Sequence, residues 1–264
     1  MLDNKNAAIW FVDRHVEEGR GSNVAFREAD GQRRSQTYAE LAERSDLLAG
    51  AFESAGLRRE ERVACLILDQ LEYPEIFWGA LKAGVVPVAL NTLLATSVYQ
   101  ATLNDSRAAC LIVSLELWET VEPALVENKD LRKVIVIGEK TPPKAISYVD
   151  FLLPAKRKKA IFALDDECAF WLYSSGSTGQ PKGVRHVHSA LLSTAETYGA
   201  QVLGIKKNDV IFSAAKIFFA YGMGNALTFP MSVGATTILF SGRPTPDAVL
   251  DIIQAEQPTL FCGV

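Results

Sequence analysis

Cysteine is scarce in this chain of 264 residues, occurring four times, at Cys65, Cys110, Cys168 and Cys262. None has the close spacing of a zinc site or a disulfide framework, so the four read as reduced thiols of a cytosolic protein. Histidine is scarcer still, at His15, His186 and His188. His186 and His188 would share a face on a strand, but no third ligand accompanies them; structural roles are expected, with His188 near the entry of a helix, and no metal site is assigned. No apolar run approaches the roughly 18 residues of a membrane span. The first ten residues, MLDNKNAAIW, lack the apolar core of a signal peptide. A cytoplasmic protein without membrane contact is therefore expected. Positive charge is not in surplus either: the net charge of −4 gives no attraction to nucleic acid or anionic lipid. The one basic run, Lys156-Arg157-Lys158-Lys159, reads as a solvated loop. Internal repeats and low-complexity tracts are absent.

What the chain does have is ordinary globular composition, 48% hydrophobic and 22% charged, enough for one or two domains with a large core. Thr37-Tyr38-Ala39-Glu40 has the spacing of a capping box, predicting a helix that runs to about Ala55, with Gly56 placed to stop it. A buried strand over Val63–Leu68, a helix over Pro74–Ala83 closed by Gly84, and a strand over Val85–Leu90 form a crossover unit of a parallel sheet. The alternation recurs. A helix is expected near Ser97–Asn104, with strands at Ala108–Val113 and Leu131–Ile137, and Pro142–Lys159 is read as an irregular connection. Gly183–His188 is read as a strand and Ser189–Val202 as a helix. Further strands fall at Val210–Ala214, Thr236–Phe240 and Thr259–Cys262, with a helix at Pro246–Glu256. The fold class predicted is α/β, with layered, mostly parallel sheets flanked by helices.

The most informative stretch is Tyr173 to Gly183, YSSGSTGQPKG, which follows the apolar run Ala169–Leu172. Glycines let a backbone bend tightly and approach a ligand closely. Successive N–H groups and small hydroxyls can then surround phosphate oxygens, and a lysine adds a point charge. The order does not fit the P-loop, which needs Gly-Lys-Ser/Thr four residues beyond a glycine. Here Pro181 and Lys182 stand at that distance from Gly176, and Val184 follows Gly183. The stretch is a phosphate grip of another kind.

Over Tyr173–Gly183 the chain closely resembles the signature of the adenylate-forming enzymes: acyl-CoA and aryl-CoA synthetases, luciferases and the adenylation domains of peptide synthetases. Weaker resemblance covers essentially the whole chain. The resemblance implies that ATP activates a carboxylate as an acyl-adenylate, which usually passes to a thiol, here coenzyme A. Ser174, Ser175, Ser177 and Thr178 would offer hydroxyls to the phosphates, Gly176 and Gly179 would let the backbone donors converge, and Lys182 would follow the β- and γ-phosphates. Lys182 and Thr178 are assigned the catalytic roles. Mg2+ is expected with ATP, on no carboxylate that this sequence identifies.

A second constellation runs from Lys216 to Asn225, KIFFAYGMGN. Aromatics beside glycines suit a flat apolar pocket, although core packing explains most such segments. It lies where the family builds its acyl pocket, and its wording is most like the benzoate and 4-hydroxybenzoate CoA ligases. On that resemblance Phe219, Ala220, Tyr221 and Gly222 line or border an aryl pocket for a small aromatic carboxylate. Residues 210–246 contain no Asp or Glu, so a substrate ammonium would be buried without a partner, which counts against amino-acid activation. A fatty acyl-CoA synthetase with an alkyl tunnel past Phe219 and Tyr221 is the alternative within the class. A non-catalytic module that binds carboxylate or nucleotide is the alternative outside it. A homodimer is suggested by analogy alone.

The family's later motifs do not appear: an aromatic-Gly-x-Thr-Glu segment, a ribose-binding aspartate, a hinge and a C-terminal domain with a catalytic lysine. The resemblance therefore implies an incomplete N-terminal adenylation domain. It divides into a first α/β portion, 1–160, and a portion, 161–264, with the phosphate loop and pocket segment. The C-terminal domain is absent, and the chain alone is not expected to complete the reaction.

Overall fold

The computed structural model describes residues 3–126, 128–175 and 181–264. Twelve strands are found among them: β1 (Val24–Glu28), β2 (Ser35–Thr37), β3 (Arg62–Leu66), β4 (Val86–Ala89), β5 (Cys110–Ser114), β6 (Lys133–Ile137), β7 (Ile146–Ser147), β8 (Cys168–Ser175), β9 (Pro181–Val187), β10 (Val210–Ser213), β11 (Thr236–Leu239) and β12 (Leu260–Cys262). They form two sheets. One has seven strands in the order β7-β6-β5-β3-β4-β8-β9, parallel throughout except for the antiparallel pair β8–β9. The other has five, β12-β10-β11-β1-β2, with only β1–β2 antiparallel. Each sheet draws strands from both sides of residue 160. The architecture is α/β, with mixed but mainly parallel sheets, and no helix among the described residues is long and apolar enough to cross a membrane.

Local chemistry accounts for the principal helices. Helix Tyr38–Ser54 starts on a complete capping box: the Thr37 hydroxyl accepts from Glu40 N at 3.2 Å, and the Glu40 carboxylate accepts from Thr37 N at 2.7 Å. Helix Glu72–Ala83 closes at Gly84, whose φ of +71° is the left-handed cap that glycine adopts without strain. Its residues Tyr73 through Lys82 are all buried, as expected of a helix apolar nearly all round. Phe11 stacks on Trp78 at 5.2 Å between ring centroids, and the Trp78 indole N–H points to Met231 Sδ at 3.2 Å, so the main core runs through both sheets.

Several charged side chains are buried, Lys82 most completely. Lys82 is 0% exposed, and its ammonium lies 2.6 Å from carboxylate oxygens of both Asp13 and Asp46. Lys159 reaches the other oxygen of Asp46 at 2.7 Å. In the basic run, Arg157 and Lys158 pair with Glu43 and Glu53 on helix Tyr38–Ser54, and all four cations are exposed.

The structure departs from the sequence expectation in several places. Segment 142–159, read as irregular, contains β7 and helix Tyr148–Leu152, started by the Ser147 hydroxyl accepting from Asp150 N at 3.0 Å and anchored by buried Tyr148, Phe151 and Leu152. β1 and β2 were not anticipated; β1 ends in Arg27 and Glu28, β2 is three polar residues, and β1 finds its parallel partner β11 far along the chain. The helix expected over Ser189–Val202 begins at His188 as α-helix and widens into a π-helix from Ala195 to Leu203.

Candidate functional site

β8 is buried at Ala169, Phe170 and Leu172, which fixes it between β4 and β9. It carries its polar end, Tyr173–Ser175, out at the carboxyl edge of the parallel strands, where open α/β sheets bind ligands. The β8–β9 register pairs Ser174 with Lys182, and both are exposed. Ser175 lies at the end of β8, opposite Pro181. Gly176, Ser177, Thr178 and Gly179, assigned above to the phosphate grip, lie outside the described residues. Among the described residues no carboxylate pairs with Lys182. The Tyr173 hydroxyl donates to Asp105 Oδ2 at 2.5 Å, tying the root of the bend to helix Thr96–Ser106; burial and that carboxylate both push the phenol pKa upward.

The second constellation follows β10, at the carboxyl edge of the other sheet. Phe218 is buried, with Phe219 against it at 4.4 Å between centroids. Phe219 and Tyr221 are 46% and 43% exposed, a high value for aromatics at this depth in the chain. A cavity of about 570 Å³ opens between the two constellations, lined by Asn91, Tyr173, Ser174, Pro181, Phe218 and Phe219 among others. The facing ends of β8 and β9 thus share a wall with Phe219. Ala220, Tyr221 and Gly222 lie beyond that wall in the short helix Ala220–Met223, and the Tyr221 hydroxyl faces the Gly263 carbonyl at 3.4 Å. Gly222 has a backbone reason to be glycine: a Cβ there would sit 1.9 Å from the Lys216 carbonyl oxygen.

Asp69 went unnoticed in the sequence. It stands just beyond β3, 4% exposed, and both its carboxylate oxygens accept from Ile217 N at 3.3 Å, at the root of the aromatic segment. Burial pushes its pKa up to about 6, against the opposing pull of Lys216. Only the position of an acidic residue directly after an apolar strand hinted at it.

The histidines have structural partners. His15 Nδ1 accepts from Arg20 Nε at 2.9 Å, so Nε2 carries the proton and donates to the Met231 carbonyl at 2.6 Å. His186 stacks on Phe170 at 4.6 Å. His188 is 5% exposed and its Nδ1 accepts from Ala7 N at 3.1 Å. Among the described residues no group of three or more His, Cys, Asp or Glu could hold a metal ion.

Burial pushes the His188 pKa from 6.5 down to about 4. A depressed imidazole is neutral when folded and takes up a proton on unfolding below its unfolded pKa. Its contribution to stability is therefore complete above pH 6.5 and is lost as pH falls toward 4. His188→Asn, which keeps an acceptor for Ala7 N but cannot titrate, should remove about 1–3 kcal/mol of the stability loss between pH 7 and 4.5. Urea denaturation of both proteins at the two pH values measures this, and parallel losses would refute it.

The family described as AMP-binding enzyme matches residues 12–264. The chain belongs to that family. It is 42% identical over 264 residues, all of this chain, to a 4-hydroxybenzoate–CoA/benzoate–CoA ligase of Rhodopseudomonas palustris, of which it covers 48%. Among solved structures, a benzoate CoA ligase from Burkholderia xenovorans superposes with a TM-score of 0.86 at 42% identity, over 98% of this chain and 50% of the other. An anthranilate CoA ligase in complex with anthranoyl-AMP gives 0.93 at 32% identity, over 99% and 50%. This AMP-binding chain thus spans about half the length of the curated relatives it matches.

Proposed function

We propose that this chain supplies the phosphate-gripping and acid-binding half of an ATP-dependent aryl-CoA ligase, which converts benzoate or a hydroxybenzoate to aroyl-AMP and then to aroyl-CoA. The observation that carries the reading is the shared wall: the stems of the Ser/Gly bend, Ser174 and Pro181, border the same cavity as Phe218 and Phe219. The similarity to benzoate ligases supports an aromatic acid over an alkyl chain. In the first step a carboxylate oxygen attacks the α-phosphorus of ATP and the bond to pyrophosphate breaks. Lys182 and the hydroxyl and amide donors of the bend stabilise the charge that collects on the departing oxygens. In the second step the coenzyme A thiolate attacks the acyl carbon and AMP leaves with the mixed-anhydride oxygen. Mg2+ would enter with ATP, neutralising its phosphates.

Non-hydrolysable benzoyl- and octanoyl-adenylate analogues, compared in thermal-shift and calorimetric titrations of this chain, test the reading. The benzoyl analogue is expected to bind at least about 10-fold tighter, as a pocket with aromatic walls discriminates by roughly 1–3 kcal/mol. Preference for the octanoyl analogue would move the assignment to a fatty acyl-CoA synthetase. Binding of benzoate alone, with no contribution from the adenylate, would make the chain a carboxylate-binding module.

A further inference from the structure

Four carboxyl-edge loops meet where the aromatic segment begins. Lys216 lies just beyond β10, and its ammonium donates to the Phe240 carbonyl, which follows β11, while standing 4.8 Å over the Phe240 ring. Asp69, beyond β3 of the other sheet, holds the next amide, Ile217 N. Asp30, beyond β1, closes the loop after Phe240 by accepting from Ser241 N at 3.1 Å, Ser241 Oγ at 2.7 Å and Gly242 N at 3.0 Å. Lys216 feels both aspartates electrostatically. Its own carbonyl accepts from Phe219 N at 3.0 Å, and Gly222 packs directly against it.

The bend from Lys216 to Gly222 is therefore fastened at its root, while Phe219 and Tyr221 further along it are exposed. None of the fastening groups belongs to the described lining of the cavity. A buried carboxylate and a largely buried ammonium are costly unless they hold something in place, and a buried aspartate whose hydrogen bonds all go to one backbone amide fixes backbone position. Ile217 and Phe218 belong to the apolar core shared by the two sheets, and here a carboxylate-to-amide contact is added to that packing, which fixes distance and orientation more sharply than apolar contact does. Apolar contacts alone would let the bend slide.

We infer that Asp69 and Lys216 are positioning residues for the acid-binding wall: together they lock the bend Lys216–Gly222 between the sheets so that Phe219 faces the cavity. The inference rests on the reading of that cavity as an aryl-acid site. A positioning role predicts a selective defect. Asp69→Ala should weaken binding of the benzoyl-adenylate analogue by at least about 10-fold while changing ATP affinity less than about twofold, because ATP is gripped on the β8–β9 side. Hydrogen exchange at the Ile217 amide should accelerate in the same variant. Asp69→Asn keeps an acceptor for that amide and should recover most of the benzoyl affinity. Lys216→Met should repeat the selective loss, and is read in place of Asp69→Ala if the latter does not fold.

Equal loss of benzoyl-adenylate and ATP affinity, or a lowered denaturation midpoint with both affinities intact, would overturn the inference and leave the trio a purely structural tie. Failure of the aryl reading looks different: the wild-type chain would then prefer the octanoyl analogue or bind neither. The exchange rate at Ile217 would still report whether Asp69 and Lys216 fasten the bend.

Discussion

Replacing Lys182 with alanine is expected to weaken MgATP binding by between about 10- and 100-fold while leaving benzoate affinity nearly unchanged. The magnitude follows from charge-assisted hydrogen bonds of about 1.5–3 kcal/mol lost from the phosphates. The selectivity follows from the structure. Lys182 stands on β9 opposite Ser174, exposed and without a carboxylate partner among the described residues, so its removal leaves no buried group unpaired and little folding energy is at stake. Phe218 and Phe219 reach the cavity from the other sheet. Calorimetric titration with MgATP and, separately, with benzoate measures the two affinities. Parallel loss of both would mean that Lys182 shapes the cavity as a whole, and the phosphate role would have to be abandoned.

A second large effect concerns folding. Lys82→Met should destabilise the chain by about 3–5 kcal/mol, since it strands the carboxylates of Asp13 and Asp46 in the core. The cost arises from the orphaned acids more than from the lost attraction. Combining Lys82→Met with Asp13→Asn and Asp46→Asn should therefore restore at least half of the loss, although each neutralisation alone removes a charge from the same cluster. Urea denaturation gives the comparison. A loss below about 1 kcal/mol for Lys82→Met would show that water reaches this cluster and that the ions are not committed to one another.

The fold was legible where local chemistry decides it. The capping box at Thr37–Glu40, the left-handed Gly84 and the strand–helix–strand unit around helix Glu72–Ala83 depend on neighbours within a few residues, and each matches the sequence reading. β1 and β2 were missed because their justification lies elsewhere. Arg27 and Glu28 make poor strand formers in isolation, yet β1 is stabilised by a ladder to β11. The helix after Ser147 is five residues long, too short for a periodic apolar pattern to stand out among the prolines and lysines around it.

The site divides in the same way. The Ser/Gly stretch stands out in the sequence because its residues are consecutive, and the aromatic segment by its wording; Gly176, Ser177, Thr178 and Gly179 lie outside the described residues. Asp69 could not. Its meaning depends on an amide 148 positions away, and nothing about an isolated aspartate after a strand distinguishes a buried tether from a solvated turn. The histidine pair shows the converse: spacing on a strand suggested a shared face, but His188 starts a helix and turns inward to Ala7, while His186 lies flat on Phe170.

The pairing of Phe26 with Thr237 has a consequence for how the molecule comes into being. The seven-stranded sheet is assembled wholly from residues between those two, so it can form as the polypeptide leaves the ribosome. β1 and β2, made first, have no template until β11 has been made. Until then they are a hairpin without a docking edge, and closure of the smaller sheet waits on a contact more than 200 residues away in sequence, the kind of long-range pairing that forms slowly.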